Sequence, residues 1–189
     1  MTDYFVHPFA VVDDGASIGV GSKIWHFAHV RSTAKLGSNV IISKNVYIDA
    51  DVTIGSNVKI QNNVSVYHGV TIKDDVFIGP HAVFTNDLRP RAVGDWEVGK
   101  TLVNKGASIG ANSVIICGND LGSYCMIGAG SVVTKSVPSH ALVFGNPATF
   151  QGVVCLCGTK LAGKDAEDNT KFQCAKCKAS FMFSKDKFD

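Results

Sequence analysis

Four cysteines near the C-terminus form the clearest chemical constellation in the chain: Cys155-Leu-Cys157-Gly158, then Cys174-Ala-Lys-Cys177 after a gap of sixteen residues. Paired thiolates at that distance suit tetrahedral zinc, and four protein ligands leave no position open for catalysis. A structural zinc ribbon is therefore expected at Cys155, Cys157, Cys174 and Cys177, with a first pair (CxC) tighter than the usual CxxC. A tail of about forty residues has too little core to hold itself without such a staple. A second group of chemically useful residues surrounds the one long interruption of an otherwise regular chain. Asn86 and Arg91 lie in it, and Arg31, Gln61, Asn63, Tyr67, His68 and His81 precede it. Histidine exchanges protons near neutral pH. Asparagine cannot, but its carbonyl accepts a hydrogen bond from an amine and can aim the nitrogen lone pair at an electrophile.

The elements that must position these residues follow from an unusual period. From Val6 to Phe84 every residue whose number is divisible by six is apolar, including Ile24, Ile42, Ile54 and Ile78. Two residues ahead of each, from Ala10 to Ala82, stands Ala, Ser or Val, and three ahead mostly Gly, Asn or Asp. Two inward side chains separated by one outward residue follow the pleat of a strand. Gly, Asn and Asp tolerate the left-handed backbone of a tight corner. Such hexads bury their apolar faces only by stacking. The pattern breaks after Phe84 and resumes one residue out of phase at Val103, Ile109, Ile115, Leu121, Ile127 and Val133, which leaves a loop over residues 85–102. Long excursions from a rigid scaffold are usually functional.

This repeat resembles that of the hexapeptide-repeat acyltransferases, which implies an all-β, left-handed parallel β-helix with three hexads per coil. The handedness comes from the resemblance, because physics alone favours right-handed crossovers. Gln61-Asn-Asn-Val-Ser-Val-Tyr67, Val83-Phe-Thr-Asn86 with Pro90-Arg91, and Lys105-Gly-Ala-Ser-Ile-Gly-Ala-Asn112 occur together and in order. Together they resemble the N-acetyltransferases of nucleotide-linked 3-amino sugars. That branch acetylates a sugar amine from acetyl-CoA on UDP- or dTDP-linked substrates for surface polysaccharide biosynthesis. The resemblance covers residues 5–149, so residues 1–149 are expected to form the acetyltransferase solenoid and 150–189 the ribbon-like tail.

With three hexads per coil, residue n sits beneath n+18. Thr85 then lies over Tyr67, Asp49 and Arg31, Asn86 over His68, and His81 over Asn63, so one corner is expected to gather Arg31, Asn63, Tyr67, His68, His81 and Asn86. If Ile115 resumes the Phe84 column, Cys117 falls one coil above Asn86. Related O-acetyltransferases place a basic histidine in the corresponding loop, and Asn86 in that place fits an amine acceptor. Arg31 and Arg91 are expected to hold the diphosphate or a sugar carboxylate through forked hydrogen bonds. The resemblance adds Gln61 to the acceptor site. It also matches Ala111 and Ala129 to amides along the pantetheine arm of acetyl-CoA, and Thr134 and Lys135 to positions near its adenosine and 3′-phosphate. A homotrimer with sites between subunits is implied as well. His68 or His81 as base of a sugar O-acetyltransferase is the alternative enzyme, and a non-catalytic β-solenoid scaffold the alternative of another kind.

Composition narrows the field. With 18 Lys and Arg scattered among 16 Asp and Glu, no basic stripe marks nucleic-acid binding. No apolar run approaches a membrane span and Met1-Thr-Asp-Tyr4 lacks a targeting pattern, so a cytoplasmic location is expected. A zinc carbonic anhydrase on the same solenoid would need converging histidines, and those at 7, 26, 29, 68, 81 and 140 lack the spacing.

Overall fold

In the computed structural model, which describes residues 3–185, two-residue strands recur every six positions and stack into three sheets of ten, seven and five strands, parallel throughout except for the last two ladders of the ten-stranded sheet. Strand Lys59–Ile60 pairs with Ile41–Ile42 below and Phe77–Ile78 above, each three hexads away in sequence. Tyr47–Ile48 with Ser65–Val66, and Thr53–Ile54 with Thr71–Ile72, repeat the offset on the other two faces. Each coil therefore crosses the ten-, seven- and five-stranded faces in turn, through three corners. Corner one holds residues 43–45, 61–63 and 79–81, corner two holds 49–51, 67–69 and 85–86, and corner three holds 55–57 and 73–75.

The inward hexad positions build the core: Ile24, Ile42, Ile48, Ile60 and Ile78 have no exposed surface, and Val40, Val46, Val52, Val58 and Val64 fill the second inward slot. The third turn residue takes a left-handed backbone at Asn39, Asn45, Asp51, Asn57, Asn63 and Asp75. The side chains of those turns then bond upward. Asn39 donates to Asn57 (3.3 Å) and Asn57 to Asp75 (3.0 Å) on corner three, while Asn45 donates to Asn63 (3.0 Å) on corner one.

Two coils depart from three hexads. Phe84 pairs with Ile115 rather than with position 102, so two whole hexads and one further residue are inserted between them. That one further residue is the phase shift visible in the sequence. The whole slip is absorbed in the loop, because Asn86 C=O accepts Gly99 N–H at 2.9 Å and closes its neck. The final coil is short: Leu121 meets Val137 and Ile127 meets Val143, each two positions earlier than a full coil would bring them. Since Ile115 still meets Val133 at the full spacing, the two missing positions belong to the turn Thr134–Ser136 on corner two.

The boundary expected after residue 149 falls inside a strand. Ala148–Val154 runs antiparallel to Ala141–Gly145, the last solenoid strand of the ten-stranded sheet, and pairs on its other edge with Lys160–Ala162. The tail thus continues the sheet before its second hairpin, Thr170–Gln173 with Ser180–Phe183, folds back. Phe183 is fully buried in the common core, and Phe181 stacks on His140 at 3.6 Å. Among the described residues no helix is long and apolar enough to cross a membrane.

Ile54 is 2% exposed between Leu36 and Ile72 of the adjoining coils. Ile54→Asp places an unpaired carboxylate there, at a cost of several kcal/mol. The expected outcome is insoluble protein or loss of the cooperative thermal transition; an unchanged melting curve would show the inward register to be wrong.

Candidate functional site

All the expected acceptor and cofactor residues lie along the two edges of one face, the seven-stranded sheet, or in the loop that leaves it. They form two corners rather than one. Arg31, Tyr67, His68, Asn86, Thr134 and Lys135 belong to corner two, whereas Gln61, Asn63, His81, Ala111 and Ala129 belong to corner one. Strand Ser65–Val66 separates Asn63 from Tyr67, so the expected single cluster is corrected to a pair of edges about one strand apart. Counting whole coils finds the column correctly. The short step from Asn63 to Tyr67 crosses a strand and changes the corner.

On corner one, Asn63 Nδ2 lies 3.2 Å from His81 Nε2 and accepts at Oδ1 from Asn45. Both side chains thus continue the corner ladder. On corner two, Asn86 is half-buried, its carbonyl closes the loop neck, and its side-chain amide has no hydrogen-bond partner among the described residues. His68 sits one coil below, with Nδ1 3.2 Å from Ala50 C=O; donation there leaves Nε2 as a proton acceptor. Above, the buried Cys117 donates its N–H to Thr85 Oγ1 (2.9 Å), and a Cβ at Gly99 would meet the Cys117 sulfur at 2.8 Å. Only glycine lets the loop return so close. The thiol is thereby covered, in keeping with a packing role.

The loop itself stands clear of the body. Arg89 and Glu97 approach to 3.4 Å in full solvent, Arg91 donates to Pro90 C=O (2.8 Å), and Val93 and Trp96 are 87% and 65% exposed.

Below Tyr67, the corner-two column carries Asp13, Arg31 and Asp49, an acid-base-acid ladder that the column map contained and that charge alternation alone could have revealed. Tyr47, on the adjacent strand, ties it together. Arg31 donates to Tyr47 Oη (3.1 Å) and sits 3.3 Å from Asp13 and 3.7 Å from Asp49, while Tyr47 donates to Asp49 (3.0 Å). His29 lies 2.9 Å from Asp13. Asp49 also accepts Ala50 N–H (2.8 Å) and His68 N–H (3.2 Å), so it fixes the backbone of the turn beneath Asn86. Burial pushes the Asp49 carboxyl up, but these donors and Arg31 outweigh burial and hold it below its ordinary value. Arg31 is thus neutralised from both sides, which weakens the expectation that it meets a diphosphate.

A depressed carboxyl stabilises the folded state above its ordinary value, and that stability disappears as pH falls through the folded value. Asp49→Asn should therefore lower stability by about 1 kcal/mol at neutral pH. The difference from wild type should shrink as pH drops below the ordinary aspartate value of about 3.9. Thermal melts at graded pH check this; a pH-independent difference would remove the charge from the explanation.

In the tail, the four expected sulfurs converge. Cys155 and Cys177 lie 3.4 Å apart, Cys157 and Cys174 3.7 Å apart, and all four within 4.8 Å of one another. A zinc–sulfur distance of about 2.3 Å implies tetrahedral edges of about 3.8 Å, so the donor set fits that ion.

Comparison with known proteins agrees with this architecture. The bacterial transferase hexapeptide family (six repeats) matches residues 33–64 and 51–86, and the hexapeptide repeat of succinyl-transferase matches 103–135. A dTDP-3-amino-3,6-dideoxy-alpha-D-galactopyranose 3-N-acetyltransferase of Aneurinibacillus thermoaerophilus is 51% identical over 91% of this chain and 88% of its own length. A hexapeptide-repeat acetyltransferase of Vibrio cholerae, solved with acetyl coenzyme A, superposes with TM-score 0.54 at 28% identity, over 60% of this chain and 67% of that one. A UDP-N-acetylglucosamine acyltransferase of Bacteroides fragilis shares the fold, with TM-score 0.68 at 22% identity, over 80% of this chain and 61% of that one. With its left-handed parallel β-helix, the chain belongs to the hexapeptide-repeat acetyltransferases.

Proposed function

We propose that the protein transfers an acetyl group from acetyl-CoA to the 3-amino group of a dTDP-linked 3-amino-3,6-dideoxyhexose, a step in surface polysaccharide biosynthesis. The similarity to the Aneurinibacillus enzyme across nearly the whole chain carries this reading, and the chemistry of corner two supports it. An amine needs no strong base, only orientation. A sugar amine flanked by oxygens has a neutral fraction near pH 7. Asn86 Oδ1 accepts one N–H and directs the lone pair at the thioester carbon. The C–N bond forms, the C–S bond breaks, and the CoA thiolate takes up the proton the nitrogen loses. Arg91 is the loop cation for the sugar-nucleotide, Lys135 the corner cation for CoA phosphate, and Gln61, Tyr67 and His68 line the acceptor side. Ala111 and Ala129 carry the amides along the pantetheine arm on corner one, and Thr134 lies with Lys135 on corner two.

The apolar Val93 and Trp96, exposed on a loop with no body of its own to close against, support a homotrimer in which the loop covers a neighbour's face. Light scattering at micromolar concentration should report three copies. Six free cysteines fit the reducing cytoplasm. The sulfur cluster holds structural zinc in this reading: purified, reduced protein should carry about one equivalent by metal analysis, and Cys174→Ser and Cys177→Ser should lose it.

One observation favours a second reading. The bond between His68 Nδ1 and Ala50 C=O sets the tautomer that a general base would need. The two readings separate by mutation. Asn86→Ala should reduce kcat roughly tenfold to a thousandfold with acetyl-CoA binding unchanged, while His68→Ala retains the wild-type rise of rate with pH. Loss of turnover in His68→Ala beside an active Asn86→Ala would transfer the role to histidine.

A further inference from the structure

Corner two is an acidic edge. Below Asn86 its turns carry Asp13, Asp14, Asp49 and Asp51 against a single guanidinium, Arg31. That guanidinium is occupied. It sits 3.3 Å from Asp13 and 3.7 Å from Asp49 and donates to Tyr47 Oη at 3.1 Å. His29 lies 2.9 Å from Asp13, a hydrogen bond that holds the Asp13 carboxyl below its ordinary value. Both carboxyls that flank Arg31 are therefore ionised at neutral pH. On the Asp49 turn, the Asp51 carboxylate is 62% exposed; His68 Nδ1 lies 3.7 Å from it and nearer, at 3.2 Å, to Ala50 C=O.

These groups face the acceptor because of where the donor lies. The coil that brings Ile115 over Phe84 and the next, which brings Val133 over Ile115, carry the residues assigned to acetyl-CoA, all above Asn86. A hexose whose 3-amine meets the thioester at Asn86 therefore turns its C6 end toward the coils below. His68 stands one coil down and the turn of Asp49 and Asp51 two, about 5 and 10 Å at the spacing of stacked strands. A carboxylate at C6 enters between those levels, where it faces Asp51 and Asp49 and finds no free cation. A methyl or hydroxymethyl group meets no such penalty. The diphosphate is directed away from this edge to the loop, where Arg91 donates only to Pro90 C=O among the described residues.

We propose that the Asp13–Arg31–Asp49 ladder and Asp51 set the acceptor specificity: they exclude 3-amino sugars with a carboxylate at C6 and admit those with an uncharged C6 group. The assignment rests on the reading of the protein as an acetyltransferase of nucleotide-linked 3-amino sugars. It is tested with four dTDP-linked 3-amino sugars that differ only at C6: methyl, hydroxymethyl, carboxylate and carboxamide. In wild type, kcat/KM for the carboxylate should fall roughly a hundredfold below that for the methyl sugar. The carboxamide, of the same shape without the charge, should stay within severalfold of the methyl sugar, and added salt should shrink the carboxylate penalty. Asp51→Asn should narrow the penalty about tenfold, and Asp13→Asn, which leaves Arg31 one carboxylate instead of two, severalfold. Adding Arg31→Met to Asp13→Asn should cancel the latter gain. A carboxylate sugar used as well as the methyl sugar, or a carboxamide rejected as strongly as the carboxylate, overturns the assignment without any variant. So does a penalty unmoved in both aspartate variants at wild-type melting temperatures. If wild type acetylates none of the four sugars, the acceptor reading falls and takes this assignment with it.

Discussion

The hydrogen bond from one coil to the next, three hexads along the chain, is the constraint on which everything else depends. A two-residue strand has no independent stability; Lys59–Ile60 is a strand because Ile41–Ile42 and Phe77–Ile78 are stacked on either side of it. The stacking allows insertion only where the column is recovered afterwards. Asn86 C=O to Gly99 N–H recovers it across the loop, and Gly99 is small enough to rest on the Cys117 sulfur. The loop can therefore vary in sequence and reach outward without disturbing the prism. The backbone of the residue at its neck, Asn86, is tied to the returning chain through its C=O.

Stacking also decides the electrostatics. Side chains of one column meet at the spacing of adjacent strands, about 4.8 Å, so like charges in a column would repel and complementary groups pair almost unavoidably. Asp13, Arg31 and Asp49 alternate in sign, and the asparagines of corners one and three each donate to the next. A cation inside such a ladder is occupied. Charges free for a phosphate must sit off the columns, as Arg91 does in the loop, or where a coil is irregular, as Lys135 does in the shortened turn.

The period of six was legible because neither an ordinary helix nor an ordinary sheet produces it, and the map of n beneath n+18 placed Thr85 over Tyr67. Cys117 falls above Asn86 only once the loop is taken as a pure insertion, which the pairing of Phe84 with Ile115 bears out. Corners were harder. A whole coil leaves a residue in place, but the few positions from Asn63 to Tyr67 cross a strand, and no composition signal marks the crossing. Asp13 and Tyr47 escaped attention for a related reason: the ladder that joins them runs between a corner column and a neighbouring strand column. Handedness came from family resemblance. The tail's cysteines announced their cluster, yet nothing in Ala148–Val154 announced that it would extend the solenoid's own sheet, since antiparallel pairing leaves no hexad behind it.

That extension explains why the tail is where it is. A parallel stack has no intrinsic end; its last coil presents unpaired backbone and an open apolar core, a template for further stacking. Here the chain reverses after Gly145 and returns antiparallel as Ala148–Val154, which uses the backbone groups of the last solenoid strand. Phe183 and the partly buried Phe150, Phe172 and Phe181 then cover the core. The hairpin that delivers Phe181 and Phe183 pairs with no other strand among the described residues. Its other attachment is the meeting of Cys174 and Cys177 with Cys157 and with Cys155, which is buried where the returning strand ends. The cysteine cluster thus lies between the solenoid's end and the hairpin that closes it, where its four sulfurs bring together two short hairpins that share no ladder.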